Sequence, residues 1–233
     1  TRTGIKERRL AASDEATSDL AIKAAREALA NARLAAEDLE LIIVATVTPD
    51  MSFPSVASIV QNALSAKNAA CFDISAACAG FVYALSIVHQ FIGRGTYKNA
   101  LVIGAEKLSS ITDWQDRNTC VLFGDGAGAC VLGEVKSGGI ISIYLGCDGS
   151  SLGLLNLPAG GSRKPASHET VDQRLHYIKM QGNELFKIAV KTMTEAAEKV
   201  LRQAGLKFSD VDLIIPHQAN SRIIMAVAKR LGL

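Results

Sequence analysis

A repeat constrains this chain more than any other feature of its sequence. Displaced by 172 residues, segment 24–43 matches segment 196–215 at nine of twenty positions without a gap. Ala24, Ala25, Leu29, Ala32, Leu34, Asp38, Leu41, Ile42 and Ile43 recur as Ala196, Ala197, Leu201, Ala204, Leu206, Asp210, Leu213, Ile214 and Ile215. Each copy reads as a helix, a short turn, an Asp and a buried strand. Shared composition alone yields about four or five matches over such a window, so the excess points to duplication of one supersecondary unit. Duplication predicts two copies about an approximate two-fold axis, with equivalent strand ends facing one site.

The rest of the chain alternates strand and helix patterns, which implies an α/β fold. Thr17 or Ser18 is expected to cap a helix bearing Leu20, Ala21, Ala24, Ala25, Ala28 and Leu29 at helical spacing. LELIIVATV (39–47) is an apolar run of the kind buried in a sheet. Pro54 is expected to open a helix through about Leu64. AACFDIS (69–75) reads as a strand, 78–93 as a helix and 99–106 as a strand. GAGACVLGEV and GGIISIYLG read as two more strands. A loop covers roughly 148–170. A helix follows over about 183–203, then a strand VDLIIPH and a helix NSRIIMAVAKRL.

Composition narrows the function classes. The 233 residues are 48% hydrophobic, enough for a sizeable core. A net charge of +2 argues against bulk electrostatic binding of nucleic acid. No apolar run reaches the roughly 18 residues of a membrane span. Five cysteines without CxxC spacing suggest neither a disulfide framework nor a zinc site, and cytoplasm is the natural compartment. The chain lacks an initiator Met and closes on AKRLGL, so both ends are expected to be truncated.

Two residues stand out chemically. Cys78 falls where a strand gives way to a helix, among Ala76, Ala77, Ala79 and Gly80. Unpaired N–H groups and the helix dipole there favour thiolate, and the Cys78 N–H can serve an oxyanion hole. The residues alone leave open either this or a small buried apolar side chain. His217 follows Pro216 at the end of a buried strand, with Asn220 placed to cap the next helix. It can act as acid, base or hydrogen-bond donor, or be structural. By the repeat, His217 aligns with Ala45, while the counterpart of Cys78 falls near position 250, beyond Leu233. Cys71, Cys120, Cys130 and Cys147 lie within or beside apolar runs and read as packing. His89, His168 and His176 are weaker candidates than His217. FGDGAGACVLG (123–133) superficially suggests a dinucleotide loop, but a β-like run follows where a helix is needed. A tight glycine turn anchored by Asp125 is the better reading.

DISAACAGF, FGDGAGA, GNELFK and PHQAN occur in this order and spacing, after TRTGIKERR at the start. In these motifs the chain resembles the β-ketoacyl-acyl carrier protein synthase III family from Thr1 through Leu233. The resemblance implies a thiolase-like duplicated fold with layered helices and mixed sheets. It implies an N-terminal half over 1–136 holding the nucleophile and an incomplete C-terminal half over 137–233 holding the catalytic His. Cys78 matches the family's nucleophile, and His217 the histidine that supports decarboxylation. The family's asparagine belongs to a later motif that this sequence lacks. Arg2 and Arg117 resemble CoA-contacting arginines; Phe123, Gly182, Asn183, Ala219 and Asn220 resemble residues lining the pantetheine tunnel and acyl site. Lys187, Arg222, Lys229 and Arg230 match a basic carrier-protein surface, and Phe53 a dimer-loop residue at the neighbouring acyl pocket.

The implied reaction is condensation of a primer acyl-CoA, acetyl-CoA or another short one, with malonyl-acyl carrier protein. The products are 3-oxoacyl-acyl carrier protein, CO2 and CoA, at the start of type II fatty acid synthesis. CoA thioester is a substrate; no cofactor or metal is implied. The implied partners are acyl-CoA, malonyl-acyl carrier protein and a second copy of the chain, with neither nucleic acid nor membrane. A ketosynthase of secondary metabolism and a non-catalytic thiolase-fold subunit are the alternatives.

Overall fold

All five residues of Leu41–Ala45 are buried, and the first layered core grows from that fact. The computed structural model describes residues 3–233 and resolves two compact units. The first comprises Arg9–Ser110 and Gly124–Ile140. Its elements are helix α1 (Thr17–Ala32), strand β1 (Leu41–Ala45), helix α2 (Val56–Leu64), strand β2 (Ala70–Ile74), helix α3 (Gly80–Gly93), strand β3 (Asn99–Lys107) and strand β4 (Asp125–Gly133). The strands form one sheet in the order β2-β1-β3-β4. β1 runs parallel to both neighbours, and β4 is antiparallel to β3.

Alternation along β1 and β3 builds two cores from one sheet. Ile42, Val44, Leu101 and Ile103 face α1 and α2, packing with Ala25, Leu29, Val56 and Val60. Leu41, Ile43, Ala100 and Val102 face the other way, against Ala84 and Val88 of α3. Each fully buried Ile or Leu contributes about 1.5–3 kcal/mol relative to exposure. The continuous apolar run of β1 is therefore what a parallel strand covered on both faces requires.

The helix starts differ from the sequence expectation, and distant carboxylates join local groups in capping them. α1 begins at Thr17 after Ala16, so neither Thr17 nor Ser18 is its cap residue. Asp50 instead accepts from the Ser18 N–H at 2.9 Å, and Thr17 donates its hydroxyl to the Thr48 carbonyl. α2 starts two residues after Pro54, with Ser55 as its cap. Asp73 of β2 accepts from the Val56 and Ala57 N–H groups at 2.7 and 2.8 Å, adding negative charge at the positive end of α2. Gly126 and Gly128 form no tight turn. They lie within β4, opposite Glu106 and Gly104, with open space where a side chain would stand. Asp125 does anchor its surroundings, accepting from the Ala11 and Ser109 N–H groups at 2.8 Å each.

The second unit comprises Ile111–Phe123, Ile141–Leu233 and the described residues up to Arg8. It contains the short strands β5 (Leu155–Asn156) and β6 (Lys179–Met180), helix α4 (His168–Asp172), the long helix α5 (Gly182–Ala204) and helix α6 (Ser221–Leu231). α5 packs on α6 through Val190, Ile223 and Val227.

The repeat reappears in the backbone. α1 ends at Ala32 and α5 at Ala204, a displacement of 204 − 32 = 172. The residues after them, Arg33 and Gly205, are both left-handed, at φ 53° and 69°. Their N–H groups bond back to the Ala30 and Arg202 carbonyls, and Leu34 and Leu206 bond to Leu29 and Leu201. One helix-stop geometry is thus encoded twice. 3₁₀ turns then follow at Ala36–Asp38 and Phe208–Asp210.

The copies differ at the next step. 211–217 forms no ladder among the described residues, and neither does GGIISIYLG. Strand geometry needs a hydrogen-bonding neighbour. No such neighbour covers this run among the described residues, and Leu213 and Ile215 are 74% and 81% exposed. No helix among the described residues is long and apolar enough to cross a membrane.

Candidate active site

The junction between β2 and α3 is tighter than its sequence suggests. After Ile74 the chain enters a 3₁₀ turn, Ala77–Ala79, and α3 starts at Gly80. Ala77 is left-handed at φ 44°. A non-glycine residue held there costs roughly 1–3 kcal/mol, and such strain collects where a side chain must be aimed. The next residue is Cys78. A Cβ placed on Gly80 comes within 3.0 Å of the Ala45 Cβ, so the helix start rests directly on the end of β1. One residue on, the Phe81 ring lies over Gly104 of β3.

This contact gives a sharp expectation for Gly80→Ala. In an open helix the change is favourable by about 1 kcal/mol. Here the added methyl meets Ala45 and pushes the elbow off the sheet, for which overpacking costs about 1–3 kcal/mol. Denaturant unfolding of Gly80→Ala is expected to show this loss, and Ala45→Gly in the same chain to restore much of it. Wild-type stability in Gly80→Ala would show that the close approach is unimportant.

Electrostatically, the thiol departs from expectation. Cys78 is exposed by area, yet protein atoms crowd around it, and this desolvation pushes its pKa up. Its own backbone N–H works in the opposite sense, and the charge of Glu106 adds to the rise. The crowding sets the direction, while the exposed face bounds its size. Burial is the largest of these influences, so the pKa lies above its ordinary value and the protonated form is favoured near pH 7. Glu106, at the end of β3, is itself pushed up by burial, against hydrogen bonds from Thr48, Val47 and Thr46.

His217 belongs to the second unit. It follows the run 211–216, exposed at 212–215, just before α6. Asn220 caps that helix, accepting from the Ile223 N–H at 3.0 Å. His217 is also exposed by area, but neighbouring atoms desolvate the ring and lower its pKa. A neutral imidazole results near pH 7, with one N–H to donate.

The same unit gathers most of the remaining candidates. Gly182 and Asn183 start α5, and Ala219 packs beside Val190 and Ile223. Arg222 stacks over the Phe186 ring at 5.6 Å, beside Lys187 on α5. Lys187 already pairs with Glu184 at 2.9 Å, and Lys229 and Arg230 occupy the last turn of α6. Arg117 stands exposed on a turn closed by Asp116, which accepts from the Asn118 N–H and the Thr119 hydroxyl. Phe123 is half-buried. Phe53, in the first unit, is 84% exposed. Arg2 lies outside the described residues.

Sequence reasoning missed Asp113 and Arg174 as well as Glu106. The Asp113 side chain, 7% exposed, pairs with Arg174 and approaches Lys179 at 3.8 Å. The Arg174 hydrogen bonds hold its pKa at about 2. This cluster ties the loop bearing Arg117 to the segment before α5. Burial of Asp113 depends on a partner 61 residues away, which no local pattern reveals.

A strained cysteine elbow at a strand–helix junction, on a helix-covered mixed sheet within a duplicated architecture, defines a thiolase-like α/β protein. The profile of 3-oxoacyl-[acyl-carrier-protein (ACP)] synthase III matches residues 72–149, and that of its C-terminal region matches residues 201–233. The beta-ketoacyl-[acyl-carrier-protein] synthase III of Caldanaerobacter subterraneus subsp. tengcongensis is 62% identical, covering all of this chain and 71% of the relative. The enzyme of that name from Clostridioides difficile is 58% identical over the same shares. The crystal structure of 3-oxoacyl-[acyl-carrier-protein] synthase III from Aquifex aeolicus superposes with a TM-score of 0.89 at 50% identity, covering 99% of this chain and 70% of that one. The chain belongs to the β-ketoacyl-acyl carrier protein synthase III family.

Proposed function

We propose that Cys78 takes an acyl group from acyl-CoA, and that His217 supports decarboxylation of malonyl-acyl carrier protein, whose carbanion then receives that group. The chain is an acyltransferase of the condensing type, making 3-oxoacyl-acyl carrier protein at the start of fatty acid synthesis. The observation that carries the reading of the site is the Cys78 elbow, held by left-handed Ala77 and by Gly80 against Ala45.

Each step balances. Cys78 sulfur attacks the acyl carbonyl, the C–S bond to CoA breaks, and the thiol proton leaves with CoA. Malonyl thioester then loses CO2, and its electron pair moves toward the thioester carbonyl as an enolate. A neutral His217 N–H stabilises the developing oxygen charge. The enolate carbon attacks the acyl-cysteine, and Cys78 departs as thiolate and regains a proton from solvent. The Cys78 N–H supports the oxyanion of the acyl-transfer steps.

Arg2 and Arg117 are proposed to bind CoA, with Phe123, Gly182, Asn183, Ala219 and Asn220 along the pantetheine path. Lys187, Arg222, Lys229 and Arg230 are proposed to receive the acidic carrier protein. Exposed Phe53 fits a homodimer in which this loop reaches the partner's acyl pocket. We assign the thiolase-like halves to 1–136 and 137–233. The five free cysteines suit a cytoplasmic enzyme.

A direct test supplies acetyl-CoA and malonyl-acyl carrier protein and follows CoA release together with the mass of the carrier protein. The expected product is the 3-oxoacyl carrier protein. Absence of condensation across short, branched and longer primers sinks the proposal in favour of a non-catalytic subunit.

A further inference from the structure

Cys78 needs more than its own turn to be held in place, and the parts behind it converge on one carboxylate. Residues 46–48 follow directly from β1. The Glu106 carboxylate accepts from the Val47 N–H at 2.8 Å, from the Thr46 hydroxyl at 3.4 Å and from the Thr48 hydroxyl. The Thr48 hydroxyl oxygen in turn accepts from the Lys107 N–H at 2.9 Å, and Thr46 Oγ1 accepts from the Thr48 N–H at 3.1 Å. This turn is therefore wrapped around Glu106.

The same turn touches the cysteine elbow on both sides. The Thr46 N–H donates to the carbonyl of Ile74, the last residue of β2, at 3.1 Å. Ala45, next to Thr46, is the residue on which Gly80 leans. Ile74 lies four positions before Cys78 and Gly80 two after it. A shift of the 46–48 turn thus displaces both anchors of the elbow. Burying a carboxylate is costly, and an apolar residue of similar size ordinarily serves a purely structural brace as well or better.

We infer that Glu106 is a positioning residue for Cys78: by gathering residues 46–48 it fixes the two anchors between which the nucleophile is held. The inference rests on the proposal that Cys78 is the nucleophile. The charge of Glu106 also reaches the thiol and favours its protonated form, so the elbow is held ready without a standing thiolate. Glu106 touches no reacting atom in this scheme and acts through the turn and through its field.

The test compares wild type with Glu106→Gln and Thr48→Val. Two rates are read: iodoacetamide alkylation of Cys78 against pH, quantified on the Cys78 peptide, and acyl loading from acetyl-CoA by intact mass. Gln keeps the shape of Glu106 but loses its charge and some of its acceptor capacity. Alkylation at pH 7 is expected to rise about threefold, with its pH midpoint moved down, while acyl loading falls about tenfold. A residue that merely stabilises the fold does not drive these rates in opposite directions. Thr48→Val keeps the carboxylate and removes one of its donors, so loading should fall several-fold with the alkylation midpoint in place. Wild-type alkylation and loading in Glu106→Gln, or a parallel fall in both, overturns the inference. If that variant does not fold, Thr48→Val decides: wild-type loading refutes the positioning role and reduced loading supports it. Cys78→Ala run alongside separates the two layers, because acylation surviving there refutes the nucleophile assignment whatever Glu106 does.

Discussion

Cys78→Ala should show no acyl adduct after incubation with acetyl-CoA, and condensation should fall by about four orders of magnitude or more. The size follows from the chemistry. Without a sulfur there is no acyl-enzyme, and the enolate must meet acyl-CoA directly in a site shaped for a covalent intermediate. Four other cysteines provide an internal control. Cys71 and Cys130 sit on β2 and β4, with the Cys130 thiol pushed up by burial, and Cys120 and Cys147 lie outside the named elements. None stands on a left-handed elbow. Cys78→Ser should fold normally and load very slowly, since a hydroxyl is a far weaker nucleophile than a thiol. The measurement is intact mass before and after acetyl-CoA, with peptide mapping of any adduct. An acyl group found on another cysteine in Cys78→Ala means that the nucleophile has been misassigned.

The parts of this molecule that were legible in its sequence share a cause. β1 was readable because a strand buried on both faces must be apolar at every position, and LIIVA is. The repeat was readable because a helix stop followed by a 3₁₀ turn is a local event, written in neighbouring residues and written twice. The helix starts differ because part of their capping comes from afar: Asp50 serves α1, and Asp73 serves α2 beside its local cap Ser55. The expected strands at 138–146 and 211–217 rested on apolar character alone, whereas a ladder also needs a partner. Gly126 and Gly128 were read as a turn because glycine is permissive, yet both are extended in β4.

The candidate site divides along the same line. Cys78 and His217 stood out by residue type and by their position at element ends. The strain at Ala77 left no signal, since alanine is unremarkable in any sequence. Glu106 was invisible for a different reason. Its partners lie about 60 positions away, and only the parallel pairing of β1 with β3 brings them to it. The crowding around Cys78 was illegible too: a helix start favours the thiolate, whereas burial acts in the opposite sense and pushes the thiol's pKa up.

His217→Ala is expected to separate the two half-reactions. Loading of Cys78 from acetyl-CoA should stay within a few-fold of wild type, while decarboxylation of malonyl-acyl carrier protein drops by about two to three orders of magnitude. Loss of one preorganised donor to a developing oxyanion has that size. The pH dependence carries the sign of the shift. Desolvation lowers the His217 pKa below its ordinary value of about 6.5, so the ring is neutral at pH 7 and stays so somewhat into acid. Decarboxylation should hold level from pH 8 through the ordinary histidine range and decline only further down, as the ring gains its proton. His217→Gln supplies an N–H that does not titrate. It should recover part of the lost rate and show no acid limb attributable to residue 217. The two steps are read separately, as release of labelled CO2 from malonyl-acyl carrier protein and as acyl-enzyme mass. Equal losses in both steps for His217→Ala, or an acid limb unchanged in His217→Gln, contradict a neutral donor acting on the malonyl thioester.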